Sequence, residues 1–202
     1  EVKQRVAAKK PMFIDKPLAA TLEDAREIAR VAAEAGVPWW SSSSLRYGDI
    51  ATKMKHADAH GVITWGHCPL EPQFPLDLAW YAIHPIEQLY ALMGTGCVEV
   101  TRVSGSGAEI LIGRWKDGRT GTVYALLPGP GGATGAVVFG PKQVVQSAPG
   151  MNGGEVLLMK EIVRFFQTGK PPVPNEETLE IFRFMDAAQR SKAAGGQPMR
   201  LR

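Results

Sequence analysis

Pro11-Met12-Phe13-Ile14-Asp15-Lys16-Pro17, then Thr21-Leu22-Glu23-Asp24, then Gly36-Val37-Pro38: these three stretches decide how the chain is read. The first is a short strand that ends in a proline turn. Thr21 and Asp24 have capping-box spacing, with a hydroxyl and a carboxylate able to serve the free amides of a helix start. Leu22, Ala25, Ile28, Ala29 and Ala32 follow at helical spacing, and Glu23, Arg26, Glu27 and Arg30 take the outer face. Gly36 stops the helix and Pro38 prevents its resumption. Residues 37–43 return to strand character. A strand–helix–strand unit of this kind closes the edge of a parallel sheet.

Beyond residue 98 the rhythm changes. Residues 98–104, 109–115 and 122–127 read as successive strands. Lys116-Asp117-Gly118-Arg119 joins the last two as a hairpin, because the turn needs a positive φ that Gly118 supplies. Strands over 137–140 and 143–147 continue an antiparallel run without intervening helices. Helices over 155–168 and 176–192 follow, divided by Gly169-Lys170-Pro171-Pro172. The chain therefore starts as the tail of an α/β unit and becomes an α+β domain. A parallel sheet with only its last strands is not stable, so a preceding segment of roughly 100 residues is expected.

Composition narrows the function classes. The chain has 202 residues, 45% hydrophobic and 21% charged, which suits a packed core and argues against disorder. The net charge of +3 is not gathered into any Lys/Arg run, so neither nucleic acid nor a membrane is the expected partner. No apolar run approaches the roughly 20 residues of a membrane span. Cys68 and Cys97 lie far apart and outside any CxxC pattern. They read as reduced thiols, and a cytoplasmic location is the expectation.

Phe13-Ile14-Asp15-Lys16-Pro17-Leu18-Ala19 resembles the Glu-Lys-Pro signature of the glucose–fructose oxidoreductase/inositol dehydrogenase (Gfo/Idh/MocA) family, with Asp15 for the usual Glu. His84-Pro85-Ile86-Glu87 with Leu92-Met93-Gly94 is similar to that family's His-x-x-Asp helix and its glycine stop. Residues 157–172 and 176–201 resemble its closing segments, in the same order. The resemblance implies an α+β fold: a C-terminal domain with a predominantly antiparallel open sheet covered by helices, preceded by the last strand–helix–strand of a Rossmann-like domain. Residues 1–43 would be the remnant of the dinucleotide-binding domain and its junction. Residues 44–202 would form the substrate-binding and oligomerisation domain. The front of the family pattern is absent, since no Gly-x-Gly-x-x-Gly follows a strand. Gly129-Pro130-Gly131-Gly132-Ala133-Thr134-Gly135 has hairpin strands before it and no helix after it, and reads as a loop.

The resemblance gives Lys16 and His84 catalytic roles and places Asp15, Lys16 and Pro17 at the nicotinamide. An ammonium beside a hydroxyl that loses hydride and proton stabilises the developing charge. Pro85 suits a first helical turn, so His84 is expected at a helix N-terminus. There the dipole disfavours imidazolium and leaves a neutral ring for general-base work; a hydrogen-bonded histidine at a domain seam is the plainer reading. The family's acid four residues before the histidine is Trp80 here. Asp77 is displaced by three positions, which leaves Glu87 or another group to orient the ring. His56 and His60, four apart on an expected helix, and His67-Cys68 at a strand end are spaced too loosely for metal, and no metal is expected. Trp80, Arg46, Glu87 and His67 are the candidate substrate-facing residues. Arg46 serves equally as an ion-pair partner, and Trp39, Trp40 and Trp65 read as packing.

The expected activity is hydride transfer between NAD or NADP and a sugar, polyol or related hydroxy compound. A homodimer or homotetramer through the sheet face is implied. By this reading the 202-residue piece alone is catalytically silent. Two alternatives stand beside it: an NAD-dependent glycosidase of the same fold, and a non-catalytic ligand-binding or assembly module.

Overall fold

The computed structural model describes residues 2–55, 58–127, 134–151 and 153–202. A short helix, α1 (Val2–Ala7), leads into β1 (Met12–Asp15), α2 (Leu22–Glu34) and β2 (Trp39–Ser42). β1 and β2 pair in parallel, Met12 beside Trp39 and Asp15 beside Ser42, so the strand–helix–strand reading holds. Thr21 Oγ1 accepts from the Asp24 amide and donates to the Asp24 carboxylate, which closes the cap at the side chain. Gly36, at φ 66°, ends α2 as its amide bonds back to Ala33.

A 3-10 turn (Ser44–Tyr47) and α3 (Asp49–Lys53) lead to β3 (Gly61–His67) and α4 (Ile83–Met93). There follow β4 (Cys97–Ser104), β5 (Ala108–Trp115), β6 (Thr120–Leu126), β7 (Gly135–Phe139), β8 (Val144–Gln146), α5 (Glu155–Thr168), α6 (Asn175–Ala193) and β9 (Met199–Arg200). The large sheet runs in the order β8-β7-β3-β6-β5-β4-β9. Every neighbouring pair in it is antiparallel except β3–β6. The protein is α+β with a mostly antiparallel sheet, as the sequence implied. The 116–119 hairpin forms as read, with Gly118 at φ 90° and Trp115 bonded to Arg119 across it.

Two readings need correction. β3 lies in the middle of the large sheet, where the sequence marked only a strand end at His67. The helix expected to carry His56 and His60 stops at Lys53; His60 stands in a bend before β3, and His56 lies outside the described residues. Gly61 thus opens a strand instead of closing a helix. Most of the glycine-rich stretch at 129–135 also lies outside the described residues.

α4 and α6 cover one face of the sheet. There Val100, Leu111, Trp115, Val123 and Ala125 pack against Ile86, Leu89, Tyr90, Phe184 and Met185. Gly113 and Gly121 sit side by side in the β5–β6 register, and a Cβ on either would strike the Trp115 ring. Their bareness lets that indole lie flat under α4 and donate to the Gly94 carbonyl at 3.0 Å. The same buried cluster continues without a break to Met12, Leu22, Ala25 and Trp39. Trp40, Phe165 and Val173 form a second, smaller cluster where α5 meets β2.

The other sheet face has no helix over it among the described residues. Strand alternation brings Ile63, Trp65, Ile112, Val103, Tyr124, Phe139 and Val144 to it, several well exposed. Cys68 and Cys97 are free and buried, and burial pushes both thiols up to about 12, which leaves them neutral. Among the described residues no helix is long and apolar enough to cross a membrane, and no three His, Cys, Asp or Glu side chains are grouped as a metal site.

Candidate active site

The carboxyl end of β1 and the amino end of α4 meet at one place, and two of the expected catalytic side chains sit there. Lys16 directly follows β1, and the Lys16–Pro17 peptide is cis. Its ammonium donates to the Trp80 carbonyl at 2.9 Å and lies 5.3 Å and 5.7 Å from the Trp80 and Tyr81 ring centroids. Burial lowers the Lys16 pKa, and the exposed Asp15 carboxylate partly restores it. His84 is the second residue of α4 and half-buried, so the N-terminal placement read from Pro85 holds. Burial first and the Lys16 charge second lower its pKa to about 4. At neutral pH the imidazole is uncharged, and the helix start favours the same state.

The group that orients His84 is not a carboxylate. Ser43 Oγ lies 2.5 Å from His84 Nδ1. Behind it, Glu87 Oε2 accepts from the Ser43 amide and from the Ser42 hydroxyl, each at 2.9 Å. Arg46 joins the same oxygen at 3.2 Å and Glu177 at 2.6 Å, with its side chain only 10% exposed. Arg46 and Glu87, expected to face substrate, are therefore spent on each other inside the fold. They hold the strand end that carries Ser43 against α4.

Asp77 is likewise committed elsewhere. It lies in turns before α4 and not on a helix, and forms a two-pronged pair with Arg102 at 2.7 Å and 3.0 Å. Trp80, in place of the expected acid, is 40% exposed and stacks on Phe74 with centroids 5.6 Å apart and planes at 3°. Pro17, Ala19, Ala20, Phe74, Ala79 and Trp80 line a pocket of 210 Å³ beside Lys16. A larger concavity of 530 Å³ is formed by one face of α5 and shares no lining residue with this site.

His67 does not join it. Thr64 donates to the Pro85 carbonyl at 2.8 Å, which fixes the α4-facing side of β3. Alternation from Thr64 sends His67 to the opposite, open face, and Trp65 with it. Trp65 packs as read, its indole occupying the space over Gly135 where a Cβ would stand. The sequence reading missed Ser43 and Phe74. The run Ser41-Ser42-Ser43-Ser44 at a strand end was the available signal for the first, since loop hydroxyls beside a helix start commonly take a hydrogen-bonding role.

Several solved structures share this architecture over the whole chain. A putative myo-inositol dehydrogenase from Sinorhizobium meliloti matches with a TM-score of 0.83 at 15% identity, over 100% of this chain and 77% of that one. A probable dehydrogenase from Thermotoga maritima matches at 0.81 and 19% identity, over 99% and 76%. Scyllo-inositol dehydrogenase from Lactobacillus casei, solved with NAD(H) and scyllo-inositol, gives 0.81 at 12%, over 99% and 76%. The chain shares the fold of these dehydrogenase structures. At these identities the likeness speaks for the fold alone; no protein-family model matches the sequence, and no curated protein does.

On this scaffold the lowered His84 pKa has a stability consequence. An unfolded His84 takes a proton near pH 6.5, while the folded one resists until about 4. Between those values the unfolded state binds more protons, so stability falls as pH drops from 6.5 to 4. The upper bound is about 3 kcal/mol, reduced by the partial exposure of the ring. His84→Gln is expected to flatten this part of a urea-denaturation pH profile. An unchanged slope would show that His84 is not the group responsible.

Proposed function

We propose that this chain is the substrate-side part of a nicotinamide-dependent oxidoreductase acting on a sugar, polyol or related hydroxy compound. Residues 1–43 belong with the dinucleotide-binding half, and 44–202 form the substrate and assembly half. The observation that carries the reading is the approach of a partly desolvated Lys16 to a neutral His84 at the end of a parallel strand, where Pro17 and Trp80 line a pocket. Crevices at the carboxyl ends of parallel strands are where such sheets bind ligands.

The donor set fits the reacting end of a nicotinamide. Asp15, Lys16 and Pro17 would border the ring, and the ring when bound supplies a hydride acceptor or donor. Lys16 would hold the substrate oxygen by its ammonium or amine, and His84 would face the same oxygen through its outer ring nitrogen. Together they would hold the oxygen whose proton is lost or gained. The exposed Trp80 surface offers the apolar platform on which the C–H face of a sugar ring packs, and Phe74 holds that indole in plane. The reading requires a strand–Gly-x-Gly-x-x-Gly–helix unit joined to this chain. Its absence from the coding sequence before Glu1 would remove the dehydrogenase reading.

The open sheet face supports a second part of the proposal: a second copy covers it, giving a dimer or tetramer. Ile112 at 40% and Tyr124 at 38% exposure lie near its centre, on a face too apolar to stand bare in water. Sedimentation is expected to show the oligomer, and Ile112→Glu with Tyr124→Lys to shift it towards monomer. A wild-type monomer at high micromolar concentration would contradict this.

A further inference from the structure

The hydroxyl of Ser43 decides which nitrogen of His84 carries the proton. Ser43 is 1% exposed, and its Oγ has two neighbours among the described residues: the Leu45 amide at 3.2 Å and His84 Nδ1. A serine oxygen holds one proton and two lone pairs. The Leu45 N–H already takes one lone pair. The proton then has a single acceptor within reach, because Glu87 Oε2 is occupied by the Ser42 hydroxyl, the Ser43 amide and Arg46. Leaving a buried hydroxyl proton without an acceptor costs more than placing it on Nδ1.

We propose that Ser43 is the positioning residue for His84, donating to Nδ1 and fixing the tautomer that carries its proton on Nε2. The inference rests on the site reading above and assigns the roles within it. An imidazole in this tautomer presents an N–H, not a lone pair, to the substrate oxygen. It therefore donates a hydrogen bond to a hydroxyl or carbonyl oxygen and stabilises charge there without taking a proton. A nicotinamide, when bound, would supply the hydride acceptor for the carbinol carbon; of the two side chains Lys16, whose pKa burial lowers, would then be the one to receive the O–H proton as C=O forms. His84 keeps its proton throughout. Because the serine is uncharged, it does not draw His84 towards imidazolium as a carboxylate partner would.

The test is long-range 15N–1H spectroscopy on the histidine-labelled chain, which reads the tautomer directly and needs neither substrate nor cofactor. The His84 signal is assigned by its loss in His84→Gln. The expected result is the Nε2–H form at neutral pH, kept in Ser43→Thr and replaced by a mixture in Ser43→Ala, while the other three imidazoles stay unmoved. An Nδ1–H form in the wild type, or a tautomer indifferent to Ser43→Ala, overturns the proposal. Should Ser43→Ala fail to fold, the wild-type tautomer and Ser43→Thr decide. A protein without dehydrogenase activity would leave this spectrum as expected, so the two readings fail separately.

Discussion

Arg102→Met is expected to cost about 3–5 kcal/mol of folding stability at neutral pH, the range for breaking a buried ion network from one side. Arg102 is 1% exposed and stands on the core-facing side of β4. It reaches Asp77 at 2.7 Å and 3.0 Å, Glu109 at 2.7 Å and Gln189 at 3.0 Å, so each of its three nitrogens is engaged. Methionine fills most of the volume but leaves two buried carboxylates with the Lys192 ammonium, 2.9 Å from Asp77 and 3.7 Å from Glu109, and with the Ser104 hydroxyl, 2.8 Å from Glu109. Burial pushes both carboxyls up, yet the hydrogen bonds and charge of Arg102 hold them below their ordinary values. Groups with lowered folded pKa values contribute stability above the unfolded 3.8 and 4.5 and lose it as pH falls through the folded ones. The penalty of Arg102→Met should therefore shrink in acid. Adding Asp77→Asn and Glu109→Gln should recover part of the loss at neutral pH. Chemical denaturation across pH checks both, and a cost below about 1 kcal/mol would mean that the network does not anchor β4.

The second large effect is on chemistry. Lys16→Ala, made in a protein carrying the dinucleotide-binding unit that the proposal requires, is expected to lower kcat by about 10²- to 10⁴-fold, the range for removing a positioned proton-transfer group. Lys16→Arg is not expected to restore it. A guanidinium stays protonated and its planar fork does not fit the point contact with the Trp80 carbonyl. Unchanged turnover in Lys16→Ala would take Lys16 out of the mechanism. The half-buried side chain has few structural duties, so its loss should leave thermal stability nearly intact.

Much of the fold was legible because local signals agreed with the tertiary arrangement. The Thr21–Asp24 cap, the Gly36 stop and the Gly118 turn each serve one backbone geometry, and each appears as read. β3 was harder to see. Gly61-Val62-Ile63-Thr64-Trp65-Gly66 follows two histidines at helical spacing, and its parallel partner β6 lies some 60 residues away in sequence. Such pairing leaves no local mark.

The site was legible only in its landmarks. Lys16 and His84 come together as the motifs implied, but the groups around them depend on long-range contacts. Arg46 looked available in sequence because nothing local pairs with it; its partners Glu87 and Glu177 arrive from α4 and α6. Asp77 is displaced from the acid position in the sequence, and its actual partner, Arg102, comes from the sheet. An arginine at an inward position of a strand was the visible clue, since a charge facing a core requires a partner. His67 was misplaced for want of a register: one residue of strand phase decides between the α4 face and the open face.

The central claim is that this fold moves hydride beside Lys16 and His84. Incubating the protein, joined to the dinucleotide-binding unit that the proposal requires, with NAD(P) and polyols deuterated at the carbinol carbon tests it most directly. The account predicts deuterium at C4 of the reduced nicotinamide, one atom per turnover, abolished by Lys16→Ala. Reduced cofactor without the label, or none formed from any polyol, sugar or hydroxy acid while the cofactor binds, would contradict it.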